Sequence, residues 1–119
     1  AKLMPQGGSV VTMTFQASQR VFPGYNVMGT AKAALEHEVR QLAAEFGDRN
    51  IRVNAISAGP VETLSARGID GFADMKRQHA QKAPLKRNID VEEVAKAALF
   101  LCSDLSSGIT GSIIPVDAG

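Results

Sequence analysis

A tyrosine and a lysine, Tyr25 and Lys32, stand seven positions apart in the stretch YNVMGTAK, directly after a Pro-Gly turn. If this stretch opens a helix, the two side chains differ in direction by only about 20° and lie about 10 Å apart along the axis. A phenol is a neutral hydrogen-bond donor and acceptor, whereas an ammonium carries a positive charge and three donors. A packed tyrosine beside a solvated lysine would show the same spacing, so the pair must be interpreted from its surroundings.

The residues that follow Tyr25 predict a long helix. Its apolar side chains recur every three or four positions and form one stripe: Met28, Ala31, Leu35, Val39, Leu42 and Phe46. Gly47 comes next and suits a C-terminal cap. Tyr25 and Lys32 lie at the border of the stripe, roughly 60° from its middle, which is where a helix meets a cleft.

Three apolar segments predict strands, at residues 9–15 (SVVTMTF), 51–56 (IRVNAI) and 111–116 (GSIIPV). Two further helices are predicted, one over residues 69–82 and one from Asp90 to about Cys102, with Glu93 completing a capping box. This alternation predicts an α/β fold with a parallel sheet covered by helices on both faces. Such sheets bind ligands outside the carboxyl ends of their strands, so we expect Tyr25 and residues 57–64 at one rim.

The composition excludes several classes of function. The chain of 119 residues is 45% apolar and 21% charged, with a net charge of +1, which does not indicate a nucleic-acid or membrane surface. One cysteine cannot form an internal disulfide, and no apolar run approaches eighteen residues, so we expect a cytoplasmic protein. His37 and His79 lack partners at metal-ligand spacing; we expect both to be solvated, Cys102 to be a small core residue, and no metal site.

Longer segments carry a resemblance to a known superfamily. IRVNAISAGPVET and DVEEVAKAALFLCSDLSSGITGSIIPVDAG are similar to the late strands and helix of short-chain dehydrogenases/reductases. Most members place the lysine four residues after the tyrosine, where this chain has Gly29. The seven-residue step, with YNVMG, AISAGPVETL and APLKRNI, resembles the enoyl-acyl-carrier-protein reductases of bacterial fatty-acid synthesis.

The resemblance implies a Rossmann-like doubly wound parallel sheet. Residues 1–119 would be the C-terminal part of a single NAD(P)-binding domain, with three strands and flanking helices. Both ends of the chain look cut, and no glycine-rich turn of the dinucleotide-binding kind occurs in it. We therefore expect the N-terminal half of the domain to be absent from this sequence.

The resemblance also implies a reaction, the reduction of a trans-2-enoyl thioester on acyl carrier protein by NADH or NADPH. Tyr25 would donate a hydrogen bond to the thioester oxygen, and Lys32 would hold the nicotinamide ribose hydroxyls. Five consecutive residues would lie along the nicotinamide and pyrophosphate, namely Val61, Glu62, Thr63, Leu64 and Ser65. The segment 64–75 would form a mobile flap, with Phe72 and Met75 as apolar lining.

Two positions depart from the family pattern. Phe15 stands where bacterial members usually carry a second tyrosine, and would form an apolar wall beside substrate and nicotinamide. Glu62 stands where arginine is frequent. Another member of the superfamily, such as a 3-ketoacyl reductase, and a non-catalytic homologue remain alternatives. Superfamily members commonly form tetramers, and small residues of the long helix (Ala33, Ala34, Ala43 and Ala44) would permit one here.

Overall fold

Three parallel strands form the sheet. The computed structural model describes residues 2–119, except for the side chains of Asn26, Leu64 and Ser65. The strands are β1 (Gly8–Thr14), β2 (Ile51–Ala58) and β3 (Ile113–Val116), and they lie in the order β1-β2-β3. Within this described part, four α-helices accompany them: α1 (Asn26–Phe46), α2 (Leu64–Arg67), α3 (Phe72–Lys82) and α4 (Val91–Cys102). The predicted α/β architecture is confirmed.

One face of the sheet packs against α1. Alternate residues of β2 point to opposite faces of the sheet. Ile51, Val53 and Ala55 are buried against Val39 and Ala43 of α1, and these five side chains form the main apolar cluster. The apolar stripe predicted for the long helix therefore faces the sheet at its centre.

The other face of the sheet packs against α4 and the turn that follows it. The Ser9 hydroxyl of β1 donates a hydrogen bond to the carbonyl oxygen of Leu101 at 2.7 Å. From β2, Arg52 donates to the Ser106 hydroxyl at 2.8 Å, and Asn54 donates to the carbonyl oxygen of Ile109 at 2.9 Å. Because helices cover both faces, the doubly wound arrangement is confirmed.

The capping box of α4 is confirmed atom by atom. The Asp90 carboxylate accepts from the Glu93 backbone N–H at 2.9 Å, and the Glu93 carboxylate accepts from the Asp90 N–H at 3.0 Å. Arg87 donates two further hydrogen bonds to Glu93, at 2.8 and 2.6 Å. The Arg87 hydrogen bonds, followed by that from the Asp90 backbone, lower the pKa of Glu93 from 4.5 to about 2.

The end of α1 lies where the sequence predicted it, and the left-handed residue comes three positions later. The helix ends at Phe46, but Gly47 keeps a right-handed conformation with φ −61° and leads into the 3-10 turn Gly47–Arg49. The left-handed residue that turns the chain toward β2 is Asn50, with φ 55°. Gly47 is thus the C-cap residue, as predicted, and the left-handed conformation falls at Asn50 because asparagine also tolerates it.

Other boundaries shift for identifiable reasons. The helix predicted over residues 69–82 begins only at Phe72, because Gly71 has φ 79° and interrupts any regular helix before it. A separate helix, α2, precedes it. Cys102 is exposed at the end of α4, so its assignment to the core was wrong. Between residues 2 and 119, we find no helix with the length and apolar character to cross a membrane.

Candidate active site

Tyr25 occupies the N-cap position of α1. Its carbonyl oxygen accepts a hydrogen bond from the Gly29 N–H at 2.7 Å, which starts the helix. Its ring lies between two phenylalanines, with centroid distances of 5.3 Å to Phe15 and 6.3 Å to Phe22. Burial raises the pKa of the Tyr25 phenol above its ordinary value, so the hydroxyl is protonated at neutral pH and can donate. No residue of the described chain hydrogen-bonds to that hydroxyl.

Lys32 anchors the helix to the end of β1. Its Nζ donates a hydrogen bond to the carbonyl oxygen of Met13 at 2.9 Å. An ammonium has three donors, so two remain after this bond. The bond holds Lys32 beside the carboxyl end of β1, on the same side of α1 as Tyr25.

A cavity of about 810 Å³ opens at the carboxyl ends of the strands. Phe15, Tyr25 and Lys32 line it together. The loop after β2 contributes a second wall, made of Ala58, Gly59, Pro60, Val61 and Thr63. The volume falls within the range of roughly 300–1,000 Å³ that is usual for ligand sites. The structure thus brings the predicted tyrosine, lysine, phenylalanine and two of the five loop residues to one space.

Of the other three predicted loop residues, only Glu62 has a described side chain. The carboxylate of Glu62 accepts a hydrogen bond from Lys76 at 3.1 Å and lies 3.4 Å from Arg67. The Lys76 hydrogen bond is the main cause that lowers the pKa of Glu62. Glu62 therefore ties the loop to α2 and α3 and is absent from the cavity lining. The side chains of Leu64 and Ser65 lie outside the described residues.

The Thr63 side chain stabilises the start of α2 and remains able to donate to a ligand. Its hydroxyl oxygen accepts a hydrogen bond from the Ala66 N–H at 3.1 Å and caps α2. The hydroxyl proton is still available to a ligand, because a threonine hydroxyl both donates and accepts. Thr63 can therefore cap the helix and donate into the cavity at the same time.

Helix α3 supplies the opposite wall of the cavity. Phe72 and Met75 line the cavity, as the sequence predicted. His79 also lines it, and its Nε2 lies 2.7 Å from the carbonyl oxygen of Asp117. The prediction of a solvated His79 was wrong. The spacing of Phe72, Met75 and His79, three and then four residues, is a helical-face signal that could have revealed it.

Gly29 explains why the lysine stands seven residues after the tyrosine. The first turn of α1 packs against the turn Gln16–Ser18, and a Cβ built on Gly29 would lie 2.6 Å from the carbonyl oxygen of Ala17. No side chain fits at that position, which carries the lysine in most members of the superfamily, unless the helix or the turn shifts. A lysine that reaches the cavity must therefore come from the next turn, where Lys32 lies.

No cluster suited to a metal ion occurs in the described chain: no three or more His, Cys, Asp or Glu side chains converge there. The donors at the cavity include the phenol, ammonium and hydroxyl of Tyr25, Lys32 and Thr63, and the lining also contains the polar side chains of Gln16, Arg20, Gln78, His79 and Lys82. This set suits hydrogen bonding to carbonyl and hydroxyl oxygens.

The sequence model of the family described as enoyl-(acyl carrier protein) reductase matches residues 1–119. The chain belongs to this family. The predicted recognition of the short-chain dehydrogenase/reductase superfamily, and of its enoyl-acyl-carrier-protein reductase branch, is thereby confirmed.

Individual relatives agree with this assignment. The chain is 55% identical to the NADPH enoyl-acyl-carrier-protein reductase FabI of Staphylococcus aureus (strain MRSA252), over 99% of the chain and 46% of that relative. It is also 55% identical to the NADH enzyme FabI of Rickettsia prowazekii, over 98% of the chain and 45% of the relative. The chain spans about half the length of the curated relatives it matches.

Solved structures agree as well. A Bacillus cereus enoyl-acyl carrier protein reductase in complex with NADP+ and indole naphthyridinone superposes with a TM-score of 0.97 at 50% identity, covering 99% of this chain and 46% of that one. FabI from Candidatus Liberibacter asiaticus gives a TM-score of 0.95 at 47% identity, with the same coverage. The family fold is therefore shared over practically the whole of this chain.

Proposed function

We propose that this chain is part of an enzyme that reduces trans-2-enoyl-acyl-carrier-protein thioesters with NADH or NADPH in bacterial fatty-acid synthesis. Residues 1–119 would form the C-terminal part of its single dinucleotide-binding domain. The observation that carries the proposal is the convergence of Phe15, Tyr25 and Lys32 on one cavity at the carboxyl ends of the strands. Membership of the enoyl-acyl-carrier-protein reductase family supports the choice of reaction.

The donor set at this cavity fits the nicotinamide half of the cofactor. Lys32 has two donors left after its bond to Met13, which matches the two hydroxyls of a ribose. Val61 and Thr63 line the adjacent wall and would lie along the nicotinamide and pyrophosphate, with the Thr63 hydroxyl as a donor. NADH or NADPH, when bound, supplies the hydride that adds to the β-carbon of the substrate. Relatives named for NADH and for NADPH are equally similar to the chain, at 55% identity, so the proposal covers both.

Tyr25 would stabilise the charge that develops on the substrate. Addition of the hydride to the β-carbon leaves negative charge on the thioester oxygen, as an enolate, until a proton adds to the α-carbon and completes the reduction. The Tyr25 phenol is neutral, partly buried and free of hydrogen bonds to the described residues, so it can donate to that oxygen. A donor fixed where charge develops is worth about 3 kcal/mol of barrier. The positive charge of Lys32, on the same side of the helix, would favour the same anion.

The acyl chain would lie along the apolar part of the cavity. Phe15 and Phe22 contribute from the side of Tyr25, and Ile69, Phe72 and Met75 from the side of α2 and α3. In this proposal the segment 64–75 acts as a flap over the acyl chain. Its tether is Glu62, which contacts both Arg67 and Lys76.

We also propose that the whole enzyme is a cytoplasmic homotetramer. Ala33, Ala34 and Ala44 of α1 are exposed and would let a second helix approach closely, whereas Ala43 is buried against the sheet and cannot contribute. Leu99 and Phe100 expose apolar surface on α4. Exposed apolar residues on both helices support an interface that uses both.

The test of the reaction uses the full-length protein and the variant Tyr25→Phe. We expect kcat for an enoyl thioester to fall about 100-fold, because a donor to a developing oxyanion is lost. The cofactor Kd, measured by calorimetry, should not change. Reduction of a 3-ketoacyl thioester in place of the enoyl thioester by the wild-type protein would favour the alternative function. Unchanged kcat in Tyr25→Phe would contradict the role of the phenol.

The test of the cofactor contact uses Lys32→Ala. Cofactor Kd should rise, because the charge and two donors to the ribose are removed. Lys96→Ala is the matched control, since Lys96 is exposed on α4, away from the cavity lining, and should leave Kd unchanged. Equal Kd values for the wild type and Lys32→Ala would refute the ribose contact.

A further inference from the structure

Glu36 is a buried acidic residue that the proposed reaction does not use. It lies on α1 one turn beyond Lys32 and is only 4% exposed. Its Oε1 accepts hydrogen bonds from the Thr14 hydroxyl at 2.7 Å and from the Ser18 hydroxyl. Glutamate is almost never fully buried unless it is paired, so this position needs a reason beyond packing.

The two hydroxyl partners bracket the segment that carries Phe15. Thr14 is the last residue of β1, and Ser18 is the last residue of the 3-10 turn Gln16–Ser18. Glu36 therefore fastens both ends of this short segment to α1. The ring of Phe15, between these two ties, lies against the ring of Tyr25.

The orientation of the Tyr25 side chain depends on the contact between its ring and that of Phe15. Its backbone is fixed by the hydrogen bond from its N–H to the Phe22 carbonyl oxygen at 3.2 Å and by the one that its carbonyl accepts from Gly29. Its hydroxyl has no hydrogen-bond partner among the described residues. The ring contacts with Phe15 and Phe22 are therefore what orient the phenol in the cavity.

We propose that Glu36 is a positioning residue: by accepting the Thr14 and Ser18 hydroxyl hydrogen bonds, it holds Phe15 against Tyr25 and so aims the Tyr25 hydroxyl at the substrate. The effect on turnover rests on the proposed function, whereas the effect on the Tyr25 ring does not. What Glu36 contributes is an acceptor, so an amide oxygen at the same place can replace it.

The experiment compares Glu36→Met with Glu36→Gln in the full-length protein. Methionine has a similar length and no comparable acceptor, whereas glutamine keeps an oxygen for both hydroxyls. We expect kcat to fall about 10-fold in Glu36→Met, less than the roughly 100-fold that a misplacement of 1 Å can cost. In Glu36→Gln it should stay within about twofold of the wild type, and cofactor Kd should be unchanged in both.

Two further measurements separate positioning from general support of the fold. In the Tyr25→Phe background, Glu36→Met should lower kcat by less than about twofold, because its effect runs through the hydroxyl that is already missing. Ring 13C-labelled tyrosine, assigned by the signal lost in Tyr25→Phe, should show a shifted Tyr25 resonance in Glu36→Met and a wild-type resonance in Glu36→Gln. The resonance reports on the ring whether or not the protein reduces an enoyl thioester.

Several results would overturn the proposal. They are a wild-type kcat and resonance in Glu36→Met, an equal loss of kcat with and without the Tyr25 hydroxyl, or a loss in Glu36→Gln as large as in Glu36→Met. Should Glu36→Met fail to fold, Ser18→Ala and Thr14→Val each remove one donor. Each should lower kcat two- to fivefold and shift the Tyr25 resonance, and the absence of both effects in both variants would refute the inference.

Discussion

Gly29→Ala tests whether the packing of α1 on the turn Gln16–Ser18 sets the geometry of the site. The added Cβ would lie 2.6 Å from the Ala17 carbonyl oxygen, and real Cβ contacts essentially never fall below 3.0 Å. The opposing atom belongs to the backbone, so it cannot rotate away. The helix or the turn must therefore move by at least 3.0 − 2.6 = 0.4 Å, and by 3.4 − 2.6 = 0.8 Å to reach ordinary contact.

This displacement has consequences for both rate and stability. The turn leads directly from Phe15, and the helix carries Tyr25 and Lys32, so the shift separates groups that must act together. A misplacement of about 1 Å can cost 100-fold in rate, so 0.4–0.8 Å should cost about 10-fold in kcat. Overpacking costs about 1–3 kcal/mol of stability, against a gain of about 0.5–1 kcal/mol for alanine over glycine in a helix. We therefore expect a net loss of up to about 2.5 kcal/mol.

The assay is NADH- or NADPH-dependent reduction of an enoyl thioester by the full-length protein, together with its thermal unfolding. Gly47→Ala is the matched control, because a Cβ there meets nothing within 4 Å and the residue has φ −61°. It should leave kcat unchanged and stabilise the protein by about 0.4–1 kcal/mol. Wild-type kcat and a raised Tm in Gly29→Ala would refute the reasoning, because they would show that the turn can move without disturbing the site.

Three further predictions concern other parts of the molecule. In Phe15→Tyr, a new hydroxyl in the apolar wall costs about 1–3 kcal/mol unless it finds a partner, so the ratio of kcat/KM for a four-carbon over a twelve-carbon enoyl thioester should rise; a constant ratio would make Phe15 a packing residue. The folded-state pKa of Glu93 is lowered from 4.5 to about 2, so the Tm advantage of wild type over Glu93→Gln should be complete above pH 4.5 and disappear as the pH falls toward 2; an advantage that does not change with pH would contradict the Arg87 hydrogen bonds as its source. Light scattering of the full-length protein should give four times the protomer mass, and a monomer at micromolar concentration would exclude the tetramer.

Local signals in the sequence were sufficient for most of the fold. Strand β2 is rich in apolar, β-branched residues, and the capping box of Asp90 and Glu93 is complete in the sequence, so both elements followed from residues close together in the chain. The position of the left-handed residue after α1 did not, because Gly47 and Asn50 can each adopt that conformation and the choice depends on how the chain enters β2. There the Asn50 carbonyl oxygen accepts the Gly8 N–H at 3.1 Å, a contact between distant segments.

The candidate site was predicted as far as one helix and the family pattern could specify it. Tyr25 and Lys32 were found by spacing, and both line the cavity. The contacts of Glu62 and His79 could not be predicted for a shared physical reason: each is oriented by a partner that is distant in the sequence. The Glu62 carboxylate accepts a hydrogen bond from Lys76, fourteen residues away in the sequence. The His79 ring contacts the carbonyl oxygen of Asp117, thirty-eight residues away. The helical spacing of His79 indicates which face of α3 it shares with Phe72 and Met75, but not that Asp117 is its partner.

The helix that carries the site contains two residues that would be unfavourable in a helix interior if their contacts with the turn Gln16–Ser18 were absent. Gly29 costs about 0.5–1 kcal/mol relative to alanine in a helix interior, and Glu36 places a carboxyl group where an apolar residue would ordinarily pack. Both face the turn Gln16–Ser18, and each has its contact there: Gly29 with the Ala17 carbonyl, Glu36 with the Ser18 hydroxyl. Residues that are unfavourable for their own secondary structure are expected mainly at positions that maintain the geometry of a functional site. Gly29 and Glu36 thus serve the same purpose. The glycine lets the turn Gln16–Ser18 approach α1, and the glutamate keeps the turn at that distance, so that the ring of Phe15 packs against the ring of Tyr25.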